Sequence, residues 1–361
     1  MDTNLELKKE GIEIVKKIDT LTVNSIANNV SEKLVSAFPK QNLDKNALFA
    51  KISRLDMYIA KMSEGLSSAK YYYKNTSIYF NENIYLNNID IYAIHECLHY
   101  LQEQKNEKSK LIQLGLCNFS DSIRPGMALN EAAVQLMSSF ALHQPIDTVK
   151  YFDITLPTIS PSNYALECNL ITQMAYITGY DALFDSTLNS NTTFKDVFTS
   201  LTNKNAYNTI EHCLDNIMYL EDDLANENLR LANEDNLRKT SKITKNIEKL
   251  RNKINFLFIN TQNYIITSYF DTAFKNVNSA EQIETYRRKL YNYKNLIGTT
   301  QNYTFFNDYY INKMVALEKK SNKALIPMNT SFLSTFFRKV RTLFSTNSSD
   351  YEVKHIQKYS N

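Results

Sequence analysis

The segment Ile91-Tyr92-Ala93-Ile94-His95-Glu96-Cys97-Leu98-His99-Tyr100-Leu101-Gln102 carries an H-E-x-x-H core. On an α-helix, positions i and i+4 share a face, so His95 and His99 offer two imidazoles to one metal ion. Glu96 sits one residue round from His95, able to address a water on that ion without ligating it. Two neutral nitrogen donors, an open coordination position and a carboxylate base are what metal-assisted hydrolysis requires. With five His in 361 residues, chance places this motif in roughly one such chain in a few hundred. Ile91, Ile94, Leu98 and Leu101 form an apolar stripe at helical spacing, which sets the motif on a half-buried helix. The competing reading is a buried helix with two incidental histidines.

Upstream, residues 71–86 are rich in aromatic and β-branched side chains broken by turn residues, which predicts a small hairpin or sheet. Such a strand either holds an extended peptide by strand addition or simply covers the motif helix. Residues 5–65 read as helices. The first carries Leu7, Ile12, Ile14, Val15 and Ile18. The second carries Ile26, Val30, Leu34, Val35 and Phe38, and Pro39 ends it. Asp44 caps a third, with Leu48, Ile52, Leu55, Tyr58, Ile59 and Met62 inward.

Downstream, residues 114–125 are irregular, and a helix follows with Leu129, Ala133, Leu136, Met137 and Phe140 inward. Residues 153–161, with two prolines, read as a loop. Residues 164–188 are helical, with Gly179 as a stop. Helices are expected over 194–201 and 207–220, followed by an acidic, Asn-rich stretch at 221–235. A long helix then runs over 240–276 and packs on helices at 280–296 and 303–322. No internal repeat is evident. The organisation expected is an N-terminal helical part (1–70), a catalytic core (71–220) and a helical C-terminal extension (221–361). Residues 330–345 form a basic amphipathic helix, suited to weak docking on a membrane or a partner.

Composition narrows the function classes. Six Gly and six Pro disfavour Gly-rich phosphate loops and all-β architecture, leaving a mainly helical protein. A net charge of +3 does not suggest a nucleic-acid partner. The polar N-terminus has no signal-peptide core, and no apolar run reaches the length of a membrane span. Cys97, Cys117, Cys168 and Cys213 show no metal or disulfide spacing, which predicts reduced thiols and a cytoplasmic location, with export by a route lacking a cleavable signal still open. No G-x-S-x-G elbow and no P-loop occur.

A catalytic metal wants a third protein ligand. Asp121, Glu131, His143, Glu167 and His212 are the candidates. Glu131 is preferred: it lies at the start of a helix among small residues on an otherwise apolar element, where an unpaired carboxylate is costly. Its gap of 32 residues from His99 lets the motif helix end, a loop turn and an antiparallel helix return. In Glu211-His212-Cys213 the histidine reads as a core-edge residue. His143 reads as a helix C-terminal cation that can contribute to the site. His355 lies in the tail, and Cys97 reads as a packed thiol.

His95-Glu96-x-x-His99 followed by Leu129-Asn130-Glu131-Ala132-Ala133 resembles the gluzincin class of zinc metallopeptidases. More narrowly, it resembles bacterial H-E-x-x-H proteins that carry an L-N-E-G/A segment and a later Tyr-x-x-Glu helix, here Tyr164-Ala165-Leu166-Glu167. The resemblance covers about a third of the chain, residues 70–190. It implies a mainly α (α+β) fold with a zincin-like catalytic domain, zinc held by His95, His99 and Glu131, and Glu96 as general base of an endopeptidase. Its substrate would be a peptide or protein. Thermolysin-like members place an Asp one turn after the third ligand to orient a ligand His. Gln135 stands there in this chain, so a different partner for that His is expected. No motif fixes an oxyanion stabiliser, and Tyr164 is assigned that role because it opens the next helix. The alternatives are a catalytically silent zincin-fold binding or scaffold protein working through its C-terminal helices, and hydrolysis of a non-peptide amide.

Overall fold

The computed structural model describes residues 3–63, 68–84, 89–120 and 124–323. Helix accounts for 64% of it, against about a third in an average globular domain, so the mainly helical expectation holds. A small mixed sheet accompanies the helices. Asp121 and the expected amphipathic helix at 330–345 lie outside the described residues.

The N-terminal part is α1 (Thr3–Lys9), β1 (Ile12–Lys17), α2 (Thr20–Ala37), α3 (Lys45–Ile52), β2 (Asp56–Met62), β3 (Ala69–Tyr72) and β4 (Ser77–Asn81). The strands form one sheet in the order β1-β2-β4-β3, antiparallel except for the parallel β2/β4 pair. The hairpin expected over 71–86 is thus present as β3/β4, and Asp44 caps α3 through its side chain. Two helical expectations fail. Residues 12–17 and 56–62 are strands, with Ile12 opposite Met62 and Met57 opposite Ile78. Their apolar residues continue the spacing of the helices beside them, but a turn after Ile52 breaks α3. The β-branched and aromatic side chains then gain cross-strand partners, such as Tyr58 stacked on Tyr79 at 5.3 Å.

The motif lies on α4 (Ile89–Leu101), followed by a three-stranded ribbon, β5 (Glu103–Lys105), β6 (Leu111–Leu114) and β7 (Cys117–Asn118). Next come α5 (Met127–Ala141), the hairpin β8 (Asp147–Tyr151) and β9 (Ile154–Thr158), α6 (Ala165–Thr178), α7 (Tyr180–Asn189) and α8 (Thr193–Leu201). The loop expected at 153–161 is therefore mostly strand. Pro157 is accommodated in β9, with its carbonyl accepting from the Asn169 side chain at 2.8 Å. Gly179, at φ 95°, ends α6 as expected.

The chain closes with α9 (Ala206–Ala232), α10 (Leu237–Lys275), α11 (Ala280–Tyr293) and α12 (Phe305–Lys323). Helix α9 continues into the acidic stretch after residue 221 and ends within it, at Ala232. Inward-facing Ile243, Ile247, Ile254, Phe258 and Ile265 of α10 are buried. One apolar core runs from α2 and the sheet through α4, α5 and α6 to α9–α12. Among the described residues no helix is long and apolar enough to cross a membrane. The four cysteines are unpaired.

Helix α5 is the centre of this stack, and nearly all its residues are buried. Its N-cap, Gly126 at φ 84°, has no side chain to satisfy the first-turn amides. Asp215 of α9 does so instead, accepting from the N–H groups of Gly126 at 3.0 Å and Ala128 at 2.9 Å. Asn130, wholly buried, accepts from the Leu116 N–H at 3.0 Å and exchanges side-chain hydrogen bonds of 3.3 Å with Gln102. The end of α4, the β6/β7 turn and α5 are thereby clamped together beside Glu131. Gly115 in that turn, at φ +54°, leaves no room for a side chain: a Cβ would run into the Asn130 oxygen.

Candidate metal centre

Helix α4 buries both of its faces. Ala93, Ile94, Cys97 and Leu98 enter the apolar core, while His95 and His99 are buried against α5 and Glu96 is buried toward β3. Burial pushes the Cys97 thiol well above its ordinary range, in keeping with an inert packing role. Glu131 is in the second turn of α5 rather than its first, and its carboxylate reaches back to both histidines.

Three donor groups converge. The Nε2 atoms of His95 and His99 are 3.1 Å apart. Glu131 places Oε2 3.3 Å from His95 Nε2 and Oε1 3.4 Å from His99 Nε2. Two ligand atoms on neighbouring vertices of a tetrahedron with metal–ligand bonds near 2.05 Å are about 3.3 Å apart. The triangle therefore has the size that a small tetrahedral cation needs. Among the described residues this is the one group of three or more His, Cys, Asp or Glu side chains so placed.

Electrostatics point the same way. Burial alone would lower the His99 pKa and raise that of Glu131. Instead the Glu131 charge lifts His99 to about 9, and the two histidines hold Glu131 well below the usual carboxylate range. Two imidazole nitrogens and a carboxylate at this spacing thus demand one positive charge, supplied by a proton or by a metal ion.

The orientation of His95 is fixed by Gln135. His95 Nδ1 lies 3.0 Å from Gln135 Oε1, so we assign the proton to Nδ1 and the Nε2 lone pair to the donor triangle. From the sequence a different partner for that His is expected; the structure places Gln135 itself beside His95, with an amide oxygen as the acceptor. Replacing Gln135 by Leu is expected to weaken metal binding about 10–100-fold, read by competition with a chromogenic chelator. Unchanged affinity would remove Gln135 from this role.

Glu96 lies beside the triangle, its Oε2 accepting from the backbone N–H of Tyr71 at 2.6 Å. Tyr71 is on β3, the edge of the sheet, so the carboxylate is pinned between the motif helix and that edge. Tyr164 also arrives at the site. Its ring stacks nearly parallel to that of His95, with centroids 6.3 Å apart. The Glu131 charge, then burial, then the Glu96 charge push its hydroxyl well above the ordinary tyrosine range. Tyr164 adopts a left-handed backbone, φ 52°, at the N-cap of α6, a conformation costing a β-carbon residue about 1 kcal/mol.

The other candidates are elsewhere. His143 is exposed just beyond the end of α5, and His212 is exposed on α9. Glu167 is fully buried but belongs to a separate cluster with Glu221 and Tyr151. Sequence reasoning missed Asn130, Gln102 and Asp215. The Asn of the Leu129-Asn130-Glu131 segment was the available signal, because a buried Asn on an apolar helix needs partners. A scan against protein-family models finds no match, and searches of curated proteins and of solved structures find no similar chain.

Proposed function

We propose that this chain is a zinc-dependent hydrolase with a zincin-like, gluzincin-type core, acting as an endopeptidase. The observation that carries the reading is the His95–His99–Glu131 triangle of 3.1–3.4 Å with a buried carboxylate, Glu96, beside it. Two imidazoles and one carboxylate suit zinc and leave a coordination position free. When bound, zinc supplies a Lewis acid and an acidified water. Glu96 takes the proton from the attacking water and passes it to the leaving amine. Its hydrogen bond from the Tyr71 N–H keeps the carboxylate aimed at the site rather than into the core. Tyr164, held protonated by its acidic neighbours, donates a hydrogen bond to the oxygen that becomes negative as the carbonyl is attacked. The outer edge of β3, running beside Glu96, suits an extended peptide.

The test is metal content per chain by plasma mass spectrometry. About one zinc is expected in the wild type and a large loss in His95→Ala and Glu131→Ala. A wild-type chain that keeps no zinc through dialysis would overturn the proposal.

A further inference from the structure

Helix α10 carries a second feature, independent of the metal centre. Between Leu237 and Phe256 the sequence has seven cations, Arg238, Lys239, Lys242, Lys245, Lys249, Arg251 and Lys253, and one carboxylate, Glu248. That net +6 compares with +3 for the whole chain, so the remainder of the protein is net negative. Charge is concentrated here rather than spread.

The spacing makes it a line. At 100° per residue, Arg238, Lys242, Lys245, Lys249, Lys253 and Phe256 fall within about 80° of one another around the helix. Ile243, Ile247, Ile254 and Phe258, which bury the helix against its neighbours, lie on the opposite side. All five cations of the line are exposed, and none has an ion-pair partner among the described residues. By contrast, Lys239, off the line, pairs with Glu234 at 3.4 Å, and Arg251 sits over the Phe152 ring. Phe256 ends the line with 72% of its surface exposed, although a large aromatic gains by burial. A shallow, open hollow lies between Lys245, Glu248, Lys249, Asn252, Lys253 and Phe256.

We propose that this ridge docks the protein on an anionic lipid surface. A straight row of one arginine and four lysines, about 22 Å from Arg238 to Lys253 on a convex helix, matches a plane of negative headgroups. The terminal Phe enters the headgroup layer while the lysine stems spread around it. A nucleic-acid strand would call for a groove or a series of stacking aromatics, and the ridge offers one aromatic at one end. Charge complementarity therefore favours lipid.

The experiment is co-sedimentation of the full chain with vesicles of phosphatidylcholine alone or with about 30% phosphatidylserine. Binding is expected only to the anionic vesicles and is expected to be released by about 0.5 M salt. The triple variant K245E/K249E/K253E changes exposed positions only, and its fold is checked by its melting temperature. It is expected to lose at least about 100-fold in vesicle affinity, and Phe256→Ala is expected to weaken binding about tenfold. No binding to anionic vesicles would overturn the proposal. So would binding that survives the triple variant, which would assign it to another segment such as 330–345. Ridge-dependent binding to RNA or DNA without vesicle binding would replace lipid by nucleic acid. None of these outcomes depends on zinc or on hydrolysis.

Discussion

Glu96→Gln is expected to lower hydrolytic turnover by about 10²–10⁴-fold while zinc content stays at the wild-type level. The reason is specific to one proton. Gln has the shape of Glu, and its side-chain oxygen can still accept the 2.6 Å hydrogen bond from the Tyr71 N–H, so helix α4 and the edge of β3 keep their relation. The amide, however, cannot take a proton from water and return it to a leaving amine. The measurement is turnover on a mixed peptide library, with metal content determined on the same samples. Full activity in the variant would remove Glu96 as the base. Loss of activity together with loss of zinc would mean that Glu96 holds the site together rather than serving it. If the wild type binds zinc yet cleaves nothing, the binding-protein reading takes the place of the enzyme.

The second large effect concerns stability. Glu167 of α6 is wholly buried, and neither carboxylate oxygen has a hydrogen-bond donor. Burial, then the nearby Glu221 of α9, push its pKa well above the ordinary range. Burial raises Glu221 as well, although the Tyr151 hydroxyl donates to it. Asp222 adds a further negative charge to the neighbourhood. Two carboxyls so placed keep one proton between them in the folded protein, whereas an unfolded Glu gives its proton up near pH 4.3. The folded state therefore binds more protons than the unfolded state in the window above that value. Stability is fully present below pH ~4.3 and is lost as pH rises through the pair's folded pKa, by about 1.4 kcal/mol per pH unit. Glu167→Gln supplies a permanent N–H to Glu221 and removes this dependence. Melting temperatures measured from pH 5 to 8 with zinc saturating are expected to fall for the wild type. They are expected to stay nearly level for the variant, which is expected to be the more stable of the two at pH 8. Parallel slopes for the two proteins would show that the pair does not carry a shared proton.

Which parts of this could be read from the chain depends on the range of the interactions involved. His95, Glu96 and His99 are four residues or fewer apart on one helix, so their relation is local and legible. Glu131 was legible because a carboxylate among Ala128, Ala132 and Ala133 needs a partner. Tyr164, which also arrives at the site, was reached only through the resemblance and its place at a helix start. The strands β1 and β2 were not legible as strands. Their apolar residues fit a helical period as well as an alternating one, and what decides is a distant partner that supplies the hydrogen bonds, β2 for β1, and β1 and β4 for β2. The hairpin at 147–158 was hidden by Pro157, a residue that usually speaks against a strand. The partnership of Asp215 with α5 is invisible in the sequence, since nothing in α9 marks that carboxylate as a cap for a helix so far upstream.

That last contact has a consequence for the order of events on the ribosome. All three donors of the metal centre have been synthesised once residue 131 is made, but the start of the helix that presents the third waits for an acid 89 residues beyond Gly126. At 5–20 residues per second, that interval is roughly 4–18 s. During it the nascent chain holds an H-E-x-x-H helix and a Glu131 helix whose first amides lack their cap. The cap links the start of α5, and with it the placing of Glu131 beside His95 and His99, to completion of a segment that contributes no donor to that group.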